Sequence, residues 1–276
     1  MRLVLLYEII AISILMVLLS FMIPVSGNIH VDIILIPATF LFGTIYGFEI
    51  LIVLGNFSEL KKLLASETAG LVYMYHMAHA IGGEFAKEME KRIEKYILTS
   101  IDYSLRYHVS STDEDFISIA EPLKTLEIKN ERQAVTLEGI QKGFHQVVEA
   151  RYQLGQVAPR EIGLPEWVML ISLGFILILT LFLGREADII SRFSAGIFAS
   201  TVVGVLLLLN EADANHIQET RLEYEIFNQV LEDIGQLEYY PEFSIKKGLV
   251  KVPKKSHRIG VFPQYPNLRD REIKEI

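Results

Sequence analysis

The sequence predicts an all-α integral membrane protein with four transmembrane helices and a cytoplasmic helical domain. Hydrophobic residues make up 51% of the 276 residues and charged residues 22%, which indicates separate apolar and highly charged blocks. Four apolar blocks are each about 18 residues or longer, enough to cross a bilayer core. No segment shows the period-two alternation that is typical of a half-buried strand.

The first two apolar blocks predict a transmembrane hairpin within residues 1–55. The first helix is expected at about residues 3–24 and the second at about residues 33–55, with a short linker between them. A secretory signal peptide is the alternative for the first block. It would need a more basic start and a shorter apolar run than this block has. We therefore expect a retained helix.

Two later apolar blocks predict a second hairpin within residues 165–210. The third helix is expected at about residues 166–184 and the fourth at about residues 189–210. Pro165 suits the first turn of a helix, and Trp167 suits the membrane interface. The linker between these helices is even shorter than the first, so both hairpin tips are expected on the same side of the membrane.

Basic residues predict the orientation of the chain. Lys61 and Lys62 closely follow the second helix, and Arg160 precedes the third. Short segments rich in lysine and arginine stay in the cytoplasm, which places the long middle segment and both termini inside. The expected location is the cell membrane, as a multi-pass protein with both termini cytoplasmic.

The segment from residue 56 to residue 164 predicts the cytoplasmic helical domain. Apolar residues recur at helical spacing from Asn56 to about Ser110, with a break expected at Gly82-Gly83. A capping box that starts at Ser111 predicts a further helix toward Tyr152, with a kink at Pro122.

Residues 211–276 predict one more cytoplasmic helix, at about residues 212–235, followed by a basic tail. The tail contains six basic residues and no acid between Ser244 and Arg258: Lys246, Lys247, Lys251, Lys254, Lys255 and Arg258. Such a cluster can face anionic lipid head groups. The alternative is that it packs on the acidic helix that precedes it or on the same helix of a neighbouring subunit.

Several classes of function are disfavoured by composition and motif. The chain has no cysteine, so disulfides and thiolate metal sites are excluded, and its net charge of −8 argues against nucleic-acid binding. The chain has no phosphate loop, nucleophile elbow or zinc-protease helix. We therefore expect no enzyme activity, no small-molecule substrate and no required cofactor.

The order of these parts resembles the bestrophin-like family of uncharacterised prokaryotic membrane proteins, and more distantly the bestrophin channels. The resemblance covers most of residues 30–245. It is carried by Gly47-Phe48, Asn56-Phe57, Glu67, Ala69, Tyr96, Arg151, Pro165, Trp167 and Tyr239-Tyr240-Pro241. It implies a homo-oligomer, a pentamer by analogy, around a central anion pore lined by the second helix.

The second helix offers candidate pore-lining residues. Small residues permit close helix approach, and large apolar ones can form a constriction that excludes water. The candidates are Ile36, Phe40, Gly43, Thr44, Gly47 and Glu49. The alternatives are ordinary helix packing for the face and, for Glu49, a place near the head groups or a pair with Lys61 or Lys62 of a neighbour.

Two further sites are predicted at the ends of the fourth helix. Arg192 is a candidate for attracting anions at a pore mouth, or else it reaches the interface or pairs with Asp188 or Asp32. Beyond the helix, an oxygen-rich cluster is a candidate calcium site, as the bestrophin resemblance implies, or else a solvated helix start. Its members are Glu211, Asp213, His216 and Glu219.

A function of another class also fits the sequence. The chain could be a non-conducting membrane scaffold or sensor whose cytoplasmic helices bind a partner, with the transmembrane helices serving as anchors. The two hypotheses differ in whether one face of the second helix is accessible to water.

Overall fold

The computed structural model describes residues 2–24, 31–128, 130–158, 161–213, 216–250, 252, 254–268 and 270–276. The chain divides into two compact units. The membrane unit comprises residues 1–55 and 161–215, and the helical unit comprises residues 56–160 and 216–276.

Helices account for most of the described residues. In chain order the elements are α1 (Arg2–Met22), α2 (Asp32–Ile81), α3 (Gly83–Asp102), α4 (Leu105–Ser111), α5 (Asp113–Ser118), α6 (Glu121–Lys124), α7 (Glu131–Val157), α8 (Leu164–Gly184), α9 (Ile189–Asp213), α10 (His216–Asp233), β1 (Tyr239–Pro241), α11 (Glu242–Lys246), β2 (Arg258–Val261) and β3 (Glu272–Glu275).

Within the described residues, three helices are long and apolar enough to cross a membrane. They cover Ile33–Ile81, Leu164–Gly184 and Ile189–Asp213, and a shorter apolar stretch covers Leu6–Met22 of α1. In the membrane unit α9 packs against both α1 and α8. Small residues allow this approach, because a Cβ added at Gly196 would lie only 2.6 Å from the Cα of Val17.

The helical unit has one large hydrophobic core. The predicted apolar face of the second half of α2 supplies much of it, since Leu60, Leu64, Leu71 and Ala78 are all buried. Helices α3, α7 and α10 add their own apolar faces to the same core. Helix α2 ends at Ile81, and Gly82 and Gly83 follow with φ values of 79° and 67°. These left-handed conformations suit glycine, and they confirm the predicted break.

Two predictions about the elements were wrong. The helical unit is not all-α, because β1 pairs in parallel with β2 and β2 pairs antiparallel with β3. Strands of three or four residues are too short to show alternation in a sequence. Helix α2 runs without interruption from Asp32 to Ile81, across the division between the two units at residue 55.

The second error concerns the helix expected from Ser111 to Tyr152. The chain instead forms α4, α5, α6 and the long α7, and Pro122 lies in the first turn of α6 rather than at a kink. Asn130 begins α7 as its N-cap, where its side chain accepts a hydrogen bond from the Gln133 amide at 2.9 Å. The predicted capping box at Ser111 does not form because Ser111 ends α4.

Candidate functional site

One face of α2 in the membrane unit is not covered by the chain itself. Ile36 and Phe40 are 71% and 70% exposed, and Gly43 and Thr44 are exposed as well. A Cβ added at Gly43 or Gly47 would meet no atom within 4 Å. The first part of α2 therefore presents an open stripe of large apolar and small residues, which contains five of the six predicted pore-lining residues.

The sixth predicted residue, Glu49, lies on the other side of the helix. Thirteen residues separate it from Ile36, which is about 3.6 turns and places the two on roughly opposite faces. The buried Ala38 and Phe42 lie on the face of Glu49, in the core of the membrane unit. Glu49 itself is half-buried and within electrostatic range of Glu166 and Asp213. It therefore faces other helices of its own chain rather than the open stripe.

Asp213, a member of the predicted calcium cluster, forms hydrogen bonds with residues at and just before the start of α8. Its carboxylate accepts hydrogen bonds from the Ile162 amide at 2.8 Å and from Trp167 Nε1 at 3.2 Å. Glu211 is half-buried, and the side chains of His216 and Glu219 lie outside the described residues. Among the residues whose side chains are described, no group of three His, Asp or Glu could hold a metal ion.

Arg192 lies in the first turn of α9, where its Nη1 donates to the carbonyl of Phe21 at 3.4 Å. Asp188, one of its predicted partners, accepts instead from the Ser191 amide at 2.9 Å. The side chain of Asp32, the other predicted partner, lies outside the described residues.

The basic tail forms several contacts with acids of its own chain. Lys255 pairs with Glu232 of α10 and with Glu238, and Arg258 pairs with Glu94 of α3. The other predicted members are placed differently. Lys246 pairs with Glu242 at 2.8 Å, and Lys247 Nζ lies 3.4 Å from the Tyr265 hydroxyl. Lys254 is exposed, and Lys251 lies outside the described residues.

A buried polar network lies at the centre of the helical unit. Glu67 of α2 is fully buried, and both its carboxylate oxygens face His108 Nε2 of α4, at 3.0 and 3.2 Å. The Tyr96 hydroxyl of α3 donates to the same carboxylate. Burial, reinforced by the Glu67 charge, raises the pKa of Tyr96 well above its usual value, so the hydroxyl keeps its proton and remains a donor.

Arg151 of α7 completes this network. Its Nη1 donates to the Tyr96 hydroxyl at 2.6 Å and to Thr112 Oγ1 at 2.7 Å, while Nη2 donates to the Val109 carbonyl at 3.0 Å. The guanidinium also lies 4.5 Å from the centre of the Phe116 ring. Four helices, α2, α3, α4 and α7, are therefore joined through one buried carboxylate and one buried guanidinium.

The resemblance singled out three members of this network, Glu67, Tyr96 and Arg151, without indicating that they meet. Sequence reasoning missed His108 and Thr112. His108 lies in α4 and Thr112 directly follows it, and a helix of seven residues is too short to show helical periodicity. His108 Nδ1 is buried and has no hydrogen-bond partner in the described part of the chain.

A second buried group ties the C-terminal strands to α3. The Tyr239 hydroxyl of β1 donates to Asp102 at 2.7 Å, and Arg271 pairs with the other oxygen of that carboxylate. Burial raises the pKa of Asp102 to about 7, although Arg271 and Tyr239 act in the opposite direction. Asn228 of α10 holds the Tyr239 backbone through hydrogen bonds of 2.7 and 3.2 Å. Tyr239, one of the residues that carry the family resemblance, is therefore buried and links β1 to α3 and α10.

Apolar helices of membrane-spanning length, together with a second unit that has its own helical core, define a helical membrane protein. The Bestrophin-like domain family model matches residues 9–216, which is more than half of the chain. The chain therefore belongs to the Bestrophin-like domain family, and the resemblance inferred from the sequence is confirmed.

A solved structure, described as the crystal structure of a membrane protein, is similar to this chain with a TM-score of 0.60 and 13% sequence identity. The match covers 83% of this chain and 98% of that one, which supports the fold. No curated protein matches the chain.

Proposed function

We propose that the protein is a homo-oligomeric ion channel, a pentamer by analogy with bestrophins, whose anion pore is lined by the open stripe of α2. One observation carries the proposal. No other part of the described chain covers the face of α2 that contains Ile36, Phe40, Gly43 and Thr44, and all four residues are exposed. In an oligomer around a central axis, this stripe would meet the same stripe of the other subunits. Large apolar side chains and glycines there would form a narrow constriction.

The proposal includes four membrane crossings, with α1 as the fourth. Its 21 residues give a length of about 30 Å, the thickness of a hydrocarbon core. Exposed Lys61 and Lys62 on α2 support a cytoplasmic position for the helical unit and both termini. The carboxylate of Glu49 does not oppose anion passage, because it faces Glu166 and Asp213 within the subunit. The proposal assigns the protein no catalytic reaction.

Cysteine accessibility tests the pore directly, because the natural chain has no cysteine that would react in the background. Single variants Phe40→Cys and Gly43→Cys would be reconstituted in liposomes, and chloride and potassium flux measured separately. A membrane-impermeant thiol reagent should block the flux of both variants. Ala38→Cys is the matched control, since Ala38 is only 6% exposed and faces the core of the membrane unit.

The scaffold hypothesis has its own supporting observation. An open apolar groove in the helical unit lies between α2 and α10, lined by Ala65, Ala69, Val72, Ile226 and Val230 among others. A well-folded oligomer that conducts neither ion, and whose Phe40→Cys variant does not react, would favour this second function over the channel.

A further inference from the structure

Two arginines lie close together where α1 and α8 end in the membrane unit. Arg185 directly follows α8, and its side chain is buried. Its terminal nitrogens donate to the carbonyls of Phe182 and Ile23. Arg192 of α9 reaches the same end of α1 through the carbonyl of Phe21. Both cations therefore sit against carbonyls at the C-terminal ends of helices, where positive charge is favourable.

These contacts leave donors unused on both side chains. Arg185 Nε and Arg192 Nε are buried and have no hydrogen-bond partner in the described part of the chain. An orphaned buried donor is destabilising, and more so when it is charged. The two side chains are also close enough for their positive charges to repel one another. Two adjacent cations with spare donors are a favourable arrangement for an anion.

No carboxylate of the described residues forms an ion pair with either arginine. Asp188 lies on the α8–α9 linker and is the acid nearest to Arg192 in sequence. Its carboxylate caps α9 by accepting a hydrogen bond from the Ser191 amide. Ser191 Oγ in turn accepts a hydrogen bond from the Glu186 amide at 2.8 Å. The linker therefore uses its own polar groups to form the turn, and no described carboxylate compensates the charge of the arginines.

We propose that Arg185 and Arg192 together bind one phosphate group at this end of the membrane unit. Planar guanidinium groups match the oxygen geometry of phosphate, and paired arginines favour it further. Helix α8 has 21 residues and is about 30 Å long, the thickness of the hydrocarbon core, so in a membrane its ends lie next to the head-group region. The ligand is an anionic phospholipid head group or free phosphate, and the site does not depend on ion conduction.

The test is thermal unfolding of the purified full-length protein in neutral detergent, followed by the fluorescence of Trp167. Phosphatidylglycerol, phosphatidylcholine and sodium phosphate would each be titrated in separate series. Wild-type protein should be stabilised in a saturable manner by phosphatidylglycerol and not by phosphatidylcholine. Stabilisation by phosphatidylglycerol alone identifies a lipid site, whereas equal stabilisation by sodium phosphate identifies a site for the free ion.

Variants connect that effect to the two arginines. Arg192→Gln should weaken the apparent affinity at least tenfold, and Arg192→Lys, which keeps the charge but lacks the planar fork, should weaken it as well. Lys87→Gln removes an exposed charge from α3 and should leave the affinity unchanged. Arg185→Gln should also weaken the affinity. If that variant does not fold, the Arg192→Gln result alone decides whether the arginines bind the phosphate group. Unchanged stabilisation of Arg192→Gln, or no stabilisation of the wild type, would overturn the proposal.

Discussion

His108 Nε2 lies 3.0 Å from one carboxylate oxygen of Glu67 and 3.2 Å from the other, in a place where neither side chain is more than 1% exposed. Forty-one residues separate the two along the chain. The pair joins α2 to α4, and through Tyr96 and Arg151 it extends to α3 and α7. Because four helices depend on it, we expect its members to contribute strongly to the stability of the helical unit.

Glu67→Gln should lower the free energy of unfolding by about 3 kcal/mol, because the buried network loses its carboxylate charge and Arg151 keeps only the exposed Asp113, at 3.3 Å, as an acidic partner. Circular dichroism of the full-length protein in detergent would show this as a drop of about 6–12 °C in the unfolding midpoint. Glu59→Gln, at an exposed position on the same helix, should shift the midpoint by little. Similar midpoints for both variants would contradict a structural role for the Glu67 charge.

Tyr96→Phe should lower the free energy of unfolding by about 1–3 kcal/mol, because Glu67 loses a donor and Arg151 loses an acceptor. The ring remains, so hydrophobic packing is preserved and the loss reports the hydroxyl alone. Tyr107→Phe is the control, since Tyr107 is 58% exposed. The comparison uses the same unfolding measurement, and a neutral Tyr96→Phe variant would mean that water replaces the hydroxyl.

Gly70→Ala should lower the free energy of unfolding by about 1–3 kcal/mol through overpacking. Helices α2 and α7 approach closely there, since a Cβ at Gly70 would lie 2.7 Å from Val147 Cγ2 and 3.0 Å from the Gly143 carbonyl. Gly155→Ala in α7 is the matched control, because its nearest contact would be an ordinary 3.7 Å. That variant should be neutral or more stable by up to about 1 kcal/mol. Equal effects of the two substitutions would refute close packing at Gly70.

The unfolding free energy should depend on Asp102 between about pH 4 and pH 7. The pKa of Asp102 is raised to about 7 in the folded protein from an ordinary value of 3.8, so the folded state holds its proton more tightly than the unfolded state. The Asp102 contribution is therefore fully present below pH 4 and is lost as the pH rises through 7. The contribution is measured by comparing the unfolding midpoints of wild type and Asp102→Asn at several pH values in this range. The wild-type midpoint should fall relative to that of Asp102→Asn as the pH rises. Parallel curves for the two proteins would show that Asp102 ionises with an ordinary pKa.

Glu49→Gln should leave the ratio of chloride to potassium permeability unchanged, because Glu49 faces its own subunit in the proposed channel. Thr44→Glu should shift that ratio toward potassium, since Thr44 lies on the open stripe. Both variants would be measured by reversal potential in planar bilayers under the same ion gradients. A shift with Glu49→Gln and none with Thr44→Glu would place a different face of α2 in the pore.

The positions of the apolar helices could be predicted because a bilayer imposes a length and composition that are visible in any window of the sequence. The break at Gly82-Gly83 was visible for a similar reason, since glycine tolerates left-handed backbone that other residues avoid. The short strands and the three short helices between residues 105 and 124 could not be predicted. Elements of three to seven residues carry too little periodicity, and β1 pairs with a strand that begins 17 residues after it ends.

The sequence by itself determined that this is a membrane protein of the Bestrophin-like family, because apolar blocks and an ordered set of motifs are local properties of the chain. Only the tertiary structure decided which side chains meet. It placed Glu67, Tyr96, His108 and Arg151 in one buried network, turned Glu49 away from the open stripe of α2, and brought Arg185 beside Arg192. The physical reason is that burial and electrostatic interactions depend on distance in space, which residues far apart in sequence acquire only when the helices pack.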